Sequence, residues 1–436
     1  MESGSFQALK TKSITWRHDH PKDRISRLHR VKTWMKQNQN DIQKALYNDF
    51  KKPTFETDIS EILPTLSELK HITAELDLWM SDKKVPTPLT LLGHASWIRF
   101  ENKGVVLVIA PWNYPFQLAV IPLITALAAG NTVVLKPSEL TPHTANLLVR
   151  LVKDCFAENE VMIETGDKDK TTELLSYDFD HVFFTGSTAV GKIIAKACAE
   201  RLIPMTLELG GKSPTIVDET ADLELTSEKI FWGKYLNRGQ TCVAPDYIIV
   251  HESIAADLTT RLKKLAVTHK LDEQGGIISK DHAERLQNLA NVAANSTLDI
   301  LSQPELTSRA MQEEIFGPVL PILTYRTETE LFELVRKYEK PLSLYIFSKN
   351  KKFINSVLNE LPSGGVGINS VLVHLANHHL PFGGVGASGQ GRYHGHFGFL
   401  ELSHQRAVIK QSYFGFLRKL MQPPYSDWKK KLLKYL

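Results

Sequence analysis

From Gly104 onwards, the sequence alternates between short apolar runs and longer stretches that have the periodicity of a helix. The first run extends from Gly104 to Ala110, and further runs lie at Thr132–Lys136 and His181–Phe184. Such continuous apolar runs suit strands that are buried on both faces, as in a parallel sheet covered by helices. Connections in these sheets are right-handed, and ligands bind beyond the carboxyl ends of the strands. We therefore expect an α/β fold with a binding site at that edge.

The second half of the chain repeats this alternation, and the first eighty residues are mostly helical in pattern. One helix is predicted from Ile25 to Phe50 and another from Ile59 to Met80. The Pro-rich stretch 83–92 predicts a connector, followed by a strand at 95–100. Further apolar runs predict strands that begin near Thr215, Tyr247, Val319 and Leu344. A length of 436 residues fits two or more domains.

Composition and charge exclude several classes of protein. A net charge of +4 is too small to indicate nucleic acid as a partner. Three cysteines in a chain of this length do not make a disulfide framework, which favours a reducing compartment. The polar start lacks the apolar block of a signal peptide, and no apolar run is long enough to span a bilayer. We expect a soluble, cytoplasmic protein.

Cys242 lies in a Gly-containing turn, Asn-Arg-Gly-Gln-Thr-Cys, between a helical pattern and an apolar strand. A thiol at such a turn can face a pocket, but only a thiolate is a strong nucleophile, so a base or a lowered pKa is needed. Glu208, a carboxylate between two leucines, is a candidate base. The alternative is that Cys242 is a small buried side chain without chemistry. Cys155 and Cys198 lie in helical stretches, and we expect both to be core or half-buried thiols.

Two segments indicate a dinucleotide site. Gly186, Ser187 and Gly191 follow a strand and open a helix, whose amino end offers N–H groups and a positive dipole to a phosphate. Lys136 and Glu139, at the end of another strand, could both reach ribose hydroxyls. Each segment also has a plainer interpretation, since glycine is common in tight turns and a lysine–glutamate pair is often an exposed ion pair.

Other polar residues near strand ends are also candidates. Asn113, in a Pro-flanked turn after the first strand, could donate a hydrogen bond to an oxyanion, or could simply be a turn residue. Glu313 and Glu314 precede an apolar pair and a Gly-Pro break, which is also typical of a helix end. The Gly-rich run 380–389 predicts a loop packed against other backbone. The histidines near 374–379 lack zinc-type spacing, so we predict no metal site.

In this order, the segments resemble the aldehyde dehydrogenase superfamily over roughly residues 104–409. The matching segments are Pro111–Pro115, Lys136–Glu139, Phe184–Ser187 with Gly191, Leu207–Pro214, Gly239–Cys242, Glu313–Pro318 and Pro381–Gly384. Residues 242–247, residues 403–406 and the short amino end are similar to the class 3 branch, which includes fatty and aromatic aldehyde dehydrogenases.

The resemblance implies a Rossmann-type NAD(P)-binding domain at 1–80 and 102–208 and an α/β catalytic domain at 209–393. It also implies a small β bridging element at 81–101 and 394–412, which joins subunits into homodimers. Residues 413–436 form a basic, amphipathic carboxyl-terminal tail. Such a tail could contact an anionic membrane peripherally, or pack on a partner subunit.

The resemblance also implies a role for each matching residue. Cys242 attacks an aldehyde, Asn113 and the Cys242 N–H hold the oxyanion, hydride passes to the nicotinamide, and Glu208 activates water to release the acid. The implied cofactor-binding residues are Lys136, Glu139, Gly186, Ser187, Gly191, Leu209, Glu314 and Phe316. The expected cofactor is NAD, because Glu139 would repel a 2′-phosphate, although class 3 relatives often accept NADP too. The expected substrates are medium- or long-chain aliphatic or aromatic aldehydes.

One segment departs from the family pattern. Between Leu289 and Met311 the chain is shorter than usual, so we expect a missing strand at the edge of the catalytic sheet. Two alternatives to an aldehyde oxidoreductase stay open. One is a thiol esterase that uses Cys242 and Glu208 without a cofactor, and the other is a non-catalytic dimeric scaffold.

Overall fold

The computed structural model describes residues 2–88, 91, 93–269, 275–290, 298–411 and 422–432. One six-stranded sheet, which we call the first sheet, consists of parallel strands except for one short antiparallel strand at its edge. The strand order is Gly389–Gln390, Met205–Glu208, His181–Thr185, Val105–Ile109, Thr132–Lys136, Val161–Ile163. The helices after these strands are Gln117–Ala128, Pro142–Cys155, Lys168–Leu174 and Thr188–Glu200. The prediction of buried parallel strands from Gly104 onwards is confirmed.

A second six-stranded sheet is parallel throughout. Its strand order is Asp299–Ser302, Val319–Tyr325, Tyr247–His251, Pro214–Val217, Ser343–Phe347, Gly365–Ile368. The α-helices in this part are Leu223–Tyr235, Glu252–Thr268, Lys280–Ala290, Arg309–Gln312, Glu328–Arg336 and Lys351–Glu360. Short 3₁₀ turns lie at Leu236–Gly239, Val373–Ala376 and Gly386–Ser388.

The strand Asp299–Ser302 corrects one expectation. We expected the shortened stretch between Leu289 and Met311 to lack a strand, but residues 299–302 pair in parallel with 319–322 and complete the sheet edge. The expectation was wrong because four residues are enough for an edge strand that pairs on one side only. Residues 291–297 of that stretch lie outside the described residues.

A separate antiparallel sheet contains three strands, Lys83–Val85, His94–Asn102 and Ser403–Gln411. The last two pair over nine residues, from Ser403 opposite Asn102 to Gln411 opposite His94. These strands fall within the two segments of the predicted bridging element. The domain boundaries themselves stay a prediction.

Of the amino-terminal helices, the first packs on the first sheet and the others pack mainly on the helices Gln117–Ala128 and Pro142–Cys155. One prediction for these helices was wrong. The α-helices are Ser3–Thr15, Pro21–Gln37, Gln39–Phe50, Thr54–Thr57 and Leu63–Met80, with a π-helical turn at Asp58–Ile62. Asn38 leaves the helical region at φ −114°, so the predicted single helix from Ile25 to Phe50 is two helices. Hydrophobic periodicity continues across such a break, because both helices bury the same face.

Both core thiols, Cys155 and Cys198, are buried as predicted. Two shorter helices, Gly395–Glu401 and Asp427–Leu432, complete the described elements. Among the described helices, we find none with the length and apolarity required to cross a bilayer.

Candidate active site

The turn that carries Cys242 is held by unusual backbone and by contacts from distant segments. Asn237 and Arg238 have φ of 49° and 52°, in the left-handed region that non-glycine residues rarely adopt. The Asn237 N–H donates to Glu56 Oε1 at 2.7 Å, and the Asn237 side chain donates to the carbonyls of Asn113 (2.9 Å) and Gln240 (3.1 Å). Strained backbone persists only where its surroundings fix it. These contacts set the position of the thiol.

Two cavities meet at Cys242. The first, of about 280 Å³, lies beyond the carboxyl ends of the first sheet. Its lining includes seven of the residues predicted from the sequence, namely Asn113, Gly186, Ser187, Glu208, Cys242, Glu314 and Phe316. We call it the polar cavity, because the residues that line it include two glutamates, an asparagine and an arginine. The structure therefore brings seven of the eleven predicted site residues together at one cavity.

The second cavity, of about 350 Å³, approaches Cys242 from another direction and is lined mostly by apolar side chains. Helix residues Ile59, Leu63 and Ile121 form part of its wall, and Trp232 and Leu372 form another part. We call it the apolar cavity. Cys242, Glu208 and Thr185 line both cavities, so a molecule in each would meet at the thiol.

Burial keeps the Cys242 thiol protonated. Burial, together with the nearby carboxylates of Glu314 and Glu208, raises the pKa of Cys242 from 9.0 to about 12. A neutral thiol is a poor nucleophile, so the structure does not present a preformed thiolate. Reaction at neutral pH requires that the proton leave as the sulfur attacks.

Glu208 ends the strand Met205–Glu208 and is buried between the two cavities. Neither of its carboxyl oxygens has a hydrogen-bond partner among the described residues. Burial raises the pKa of Glu208 well above its ordinary value, and the charge of Arg392 offsets only part of that shift. A buried carboxyl without partners is unusual in a structural role, and it indicates a group kept for a ligand or a proton.

Asn113 is buried beside the thiol-bearing turn, and its side-chain Nδ2 donates to the Gln240 carbonyl at 3.1 Å. An amide nitrogen carries two hydrogens, so a second N–H remains for a ligand in the polar cavity. The Asn113 backbone carbonyl accepts from Lys52 Nζ at 3.4 Å. Lys52 is fully buried and pairs with Glu61 at 2.9 Å, which fixes the asparagine from behind.

Glu314 faces the polar cavity across Gly210. A Cβ on Gly210 would lie 2.2 Å from a Glu314 carboxyl oxygen, so only glycine leaves room for this carboxyl. Burial, with the charge of Asp246, raises the pKa of Glu314 to about 8. Lys212 and Asp246 form a buried ion pair that also bonds to the backbone of this segment, at the Ala310 and Glu313 carbonyls and the Ile315 N–H.

Gly186 and Ser187 connect the strand His181–Thr185 to the helix Thr188–Glu200. A Cβ on Gly186 would lie 2.5 Å from the Phe184 ring, so the turn requires glycine. The Ser187 hydroxyl caps the helix by accepting from the Val190 N–H at 3.4 Å. Gly186 and Ser187, which directly precede the amino end of this helix, line the polar cavity.

Four predicted cofactor residues lie outside the lining of both cavities. Gly191 packs against Leu209, where a Cβ would lie 2.6 Å from a leucine methyl, and this contact lets the helix approach the strand. Lys136 Nζ pairs with Glu139 Oε2 at 2.9 Å at the end of the strand Thr132–Lys136. The lysine is buried and the glutamate is exposed, so the pair can still offer a carboxylate to a ligand.

Sequence reasoning missed several residues of this site, above all Thr185, Gly210, His282 and Arg285 in the polar cavity. Thr185 and Gly210 lie within two of the matching segments, Phe184–Ser187 and Leu207–Pro214, although neither was assigned a role there. His282 and Arg285 come from the helix Lys280–Ala290, which carries no motif. Among the described residues, no three His, Cys, Asp or Glu side chains are grouped as metal ligands.

The fold and the site define a class of protein. It is an α/β protein in which one cysteine lies between a polar and an apolar cavity. The model of the aldehyde dehydrogenase family matches residues 5–408. A 4,4′-diaponeurosporen-aldehyde dehydrogenase of Staphylococcus aureus is 44% identical over 427 residues, with 93% of this chain and 92% of the relative covered. The chain belongs to the aldehyde dehydrogenase family.

Further relatives agree with this assignment. A Rattus norvegicus protein named aldehyde dehydrogenase, dimeric NADP-preferring, is 41% identical, with 94% of this chain and 92% of the relative covered. The solved structure titled substrate bound state of Staphylococcus aureus AldH has a TM-score of 0.94 and 42% identity, and it covers 100% of this chain and 99% of its own. The protein is an NAD(P)-dependent oxidoreductase that oxidises aldehydes to carboxylic acids.

Proposed function

We propose that Cys242 attacks the aldehyde carbonyl and that the substrate enters through the apolar cavity. The observation that carries this proposal is that the thiol lines both cavities. An aldehyde whose chain occupies the apolar cavity has its carbonyl beside the sulfur, with the polar cavity on its other side. The Asn113 side-chain N–H and the Cys242 backbone N–H are the donors for the oxyanion of the thiohemiacetal. Each donor of this kind contributes about 2.7–4 kcal/mol in other enzymes.

The polar cavity fits the nicotinamide half of a dinucleotide. Gly186 and Ser187 offer a glycine turn and a helix amino end to the pyrophosphate, and Glu314 and Phe316 line the opposite side. Lys136 and Glu139 are proposed to hold the adenosine ribose at the end of the strand Thr132–Lys136. Gly191 and Leu209 pack on each other elsewhere along the same sheet edge and are proposed to contact the cofactor beside the turn at Gly186. When bound, NAD(P) in its oxidised form supplies a hydride acceptor and a positive charge beside the thiol.

Glu208 is proposed as the base that completes the reaction. Once the thioester has formed on Cys242, a water must lose a proton as it attacks the acyl carbon. The Glu208 carboxyl lies on both cavities and has no hydrogen-bond partner to hold its oxygens elsewhere. Because burial raises its pKa, its carboxylate is a stronger base than an exposed glutamate. A thioester is reactive enough for one such base to complete hydrolysis.

The shape of the apolar cavity supports medium- or long-chain aliphatic or aromatic aldehydes as substrates. Its walls bury hydrocarbon, which contributes roughly 0.8 kcal/mol for each CH₂ group removed from water. The staphylococcal relative is named as a dehydrogenase of 4,4′-diaponeurosporen-aldehyde, which supports an aldehyde as the substrate.

The exposed Glu139 carboxylate would repel a 2′-phosphate, which favours NAD over NADP. NADP is expected to be accepted as a second cofactor, since the rat relative is named as NADP-preferring.

A homodimer is proposed as the assembly. The antiparallel sheet ends in Ser403–Gln411, a nine-residue strand paired on one side only, and open edges of this length are usually covered. The rat relative is named as dimeric, which supports the same assembly.

Peripheral contact with an anionic membrane is proposed for the carboxyl-terminal tail. In the part of the tail that the structure describes, Tyr425 and Trp428 are exposed close to Lys430 and Lys431. Packing on the partner subunit is the alternative, and sedimentation with anionic vesicles distinguishes the two. Residues 412–421 and 433–436 lie outside the described residues, and a cytoplasmic location stays a prediction.

The test is NADH formation from aldehydes of graded chain length, run in parallel with NADP. We expect turnover that improves with chain length, and Cys242→Ser should abolish it while Cys198→Ser, a buried thiol far from the site, should not. Ester hydrolysis without nucleotide binding would favour the thiol esterase instead. Nucleotide binding and Cys242 alkylation without any turnover across the panel would favour the scaffold.

A further inference from the structure

Two side chains that no sequence motif includes line the polar cavity from one helix. His282 and Arg285 are three residues apart on the helix Lys280–Ala290, so both project from the same face. Both are directed at the segment that carries Glu314 and Phe316. This helix comes from a part of the chain far from that segment in sequence, so it restrains the segment from outside.

The two side chains contact three consecutive backbone carbonyls. Arg285 donates to the carbonyls of Glu314, at 3.3 Å, and of Ile315. His282 Nε2 lies 2.9 Å from the carbonyl of Phe316. No other part of the described site has each carbonyl of a tripeptide held by side chains of one neighbouring helix.

A fourth contact fixes the tautomer of His282. Arg285 Nε donates to His282 Nδ1 at 3.4 Å, so Nδ1 acts as an acceptor and the ring proton lies on Nε2. That proton is the one donated to the Phe316 carbonyl. The Trp112 ring packs edge-on against both His282, with ring centroids 5.5 Å apart, and Phe316, with centroids 5.3 Å apart. Arg285, His282 and Phe316 therefore form one connected unit.

The held segment needs such support. Phe316 has φ of 52°, in the left-handed region that a bulky residue avoids. Without a restraint on the adjoining carbonyls, this backbone would relax, and the Glu314 carboxyl and Phe316 ring would move with it. Hydrogen bonds from a charged guanidinium are stronger than those between neutral groups, so Arg285 is the main restraint.

We propose that Arg285 and His282 are positioning residues that hold Glu314 and Phe316 against the nicotinamide half of NAD(P). This inference rests on the proposed function, because it assumes that the polar cavity receives that half of the cofactor. The adenosine end, proposed at Lys136 and Glu139, lies outside this cavity. Loss of the Arg285 and His282 contacts should therefore weaken binding at one end of the dinucleotide only.

The experiment compares the binding of NAD and of AMP by titration calorimetry in wild-type protein and in Arg285→Met. AMP carries only the adenosine end. We expect the Kd for AMP to change less than about twofold and the Kd for NAD to rise about tenfold or more, since charged hydrogen bonds are lost only near the nicotinamide. Arg309→Met is the matched control. Arg285 and Arg309 both pair with Glu313, at 3.7 Å and 2.9 Å, but Arg309 lies outside the cavity lining.

Further variants keep the proposal testable if Arg285→Met does not fold. His282→Gln retains an N–H donor and should bind NAD better than His282→Leu, and Arg285→Lys should restore part of the loss. Equal weakening of AMP and NAD, or equal effects of Arg285→Met and Arg309→Met, would overturn the inference. Wild-type protein that binds no NAD would instead overturn the proposed function, and the inference with it.

Discussion

The thiol of Cys242 should react slowly at neutral pH, although it lines two cavities. Its raised pKa of about 12, against an ordinary 9.0, lowers the thiolate fraction at pH 7 about a thousandfold. A more basic thiolate is intrinsically more nucleophilic. With a Brønsted coefficient of 0.4–0.5, three pKa units increase that nucleophilicity about 16- to 32-fold. The two effects together predict a rate about 30- to 60-fold below that of an ordinary thiol.

The assay is exchange with a small neutral aromatic disulfide, 4,4′-dithiodipyridine, followed by the absorbance of the released thione. Glutathione is the reference thiol. The exchange rate of the same protein unfolded in urea is a second, internal reference. Cys242→Ser measures the background from Cys155 and Cys198, whose pKa values burial raises to about 11. Folded wild-type protein should show the slow phase, and that phase should be absent from Cys242→Ser.

The pH range follows from the sign of the shift. Below pH 9 the thiol is protonated in both folded and unfolded chains, so the raised pKa does not change the free energy of unfolding. Between pH 9 and about 12 the unfolded chain releases the proton first, and stability falls as pH rises. Rates are therefore measured from pH 6.5 to 9, where they should rise tenfold for each pH unit. A rate at pH 7 within threefold of glutathione, or a plateau below pH 9, would refute the reasoning.

Three further outcomes follow from the site. Glu208→Gln should retain a first-turnover burst of NADH in a rapid-mixing assay, while steady-state turnover falls about 10²- to 10⁴-fold. Loss of the burst itself would contradict a role for Glu208 in thioester hydrolysis alone. Lys212→Met leaves Asp246 as an uncompensated buried charge. The free energy of unfolding, measured in urea, should therefore fall by about 3–5 kcal/mol. A loss of less than about 1 kcal/mol would show that the pair is solvated. Gly210→Ala should raise the KM for NAD, because the added methyl meets the Glu314 carboxyl, and an unchanged KM would contradict that contact.

The residues that the sequence did predict share a location in the fold. Asn113 and Gly186 follow buried parallel strands, and Lys136 and Glu208 are the last residues of two more. Apolar runs predicted three of these four strands, because both faces of a parallel sheet are covered, but no such run marks the strand Met205–Glu208. Strand ends meet at one edge, so a motif after each strand is enough to bring these side chains together.

What could not be predicted depends on contacts between distant segments. Lys52 and Glu61 look like solvated charges in the sequence, yet they form a fully buried ion pair behind Asn113. Arg285 lies on an amphipathic helix like many others, and only the tertiary structure shows that it holds the carbonyls of the Glu314 segment. The break at Asn38 was missed because periodicity is blind to a change of direction that preserves the buried face.

The raised pKa values have one further consequence for how the site works. Cys242, Glu208 and Glu314 all face the polar cavity, and burial favours the neutral form of each. Arg392, Lys212 and Arg285 offset this only partly, and Lys212 is already paired with Asp246. A positive charge placed in the cavity would lower all three values together, since it stabilises each anion. Burial therefore disfavours the Cys242 thiolate until a cationic ligand in the polar cavity stabilises it.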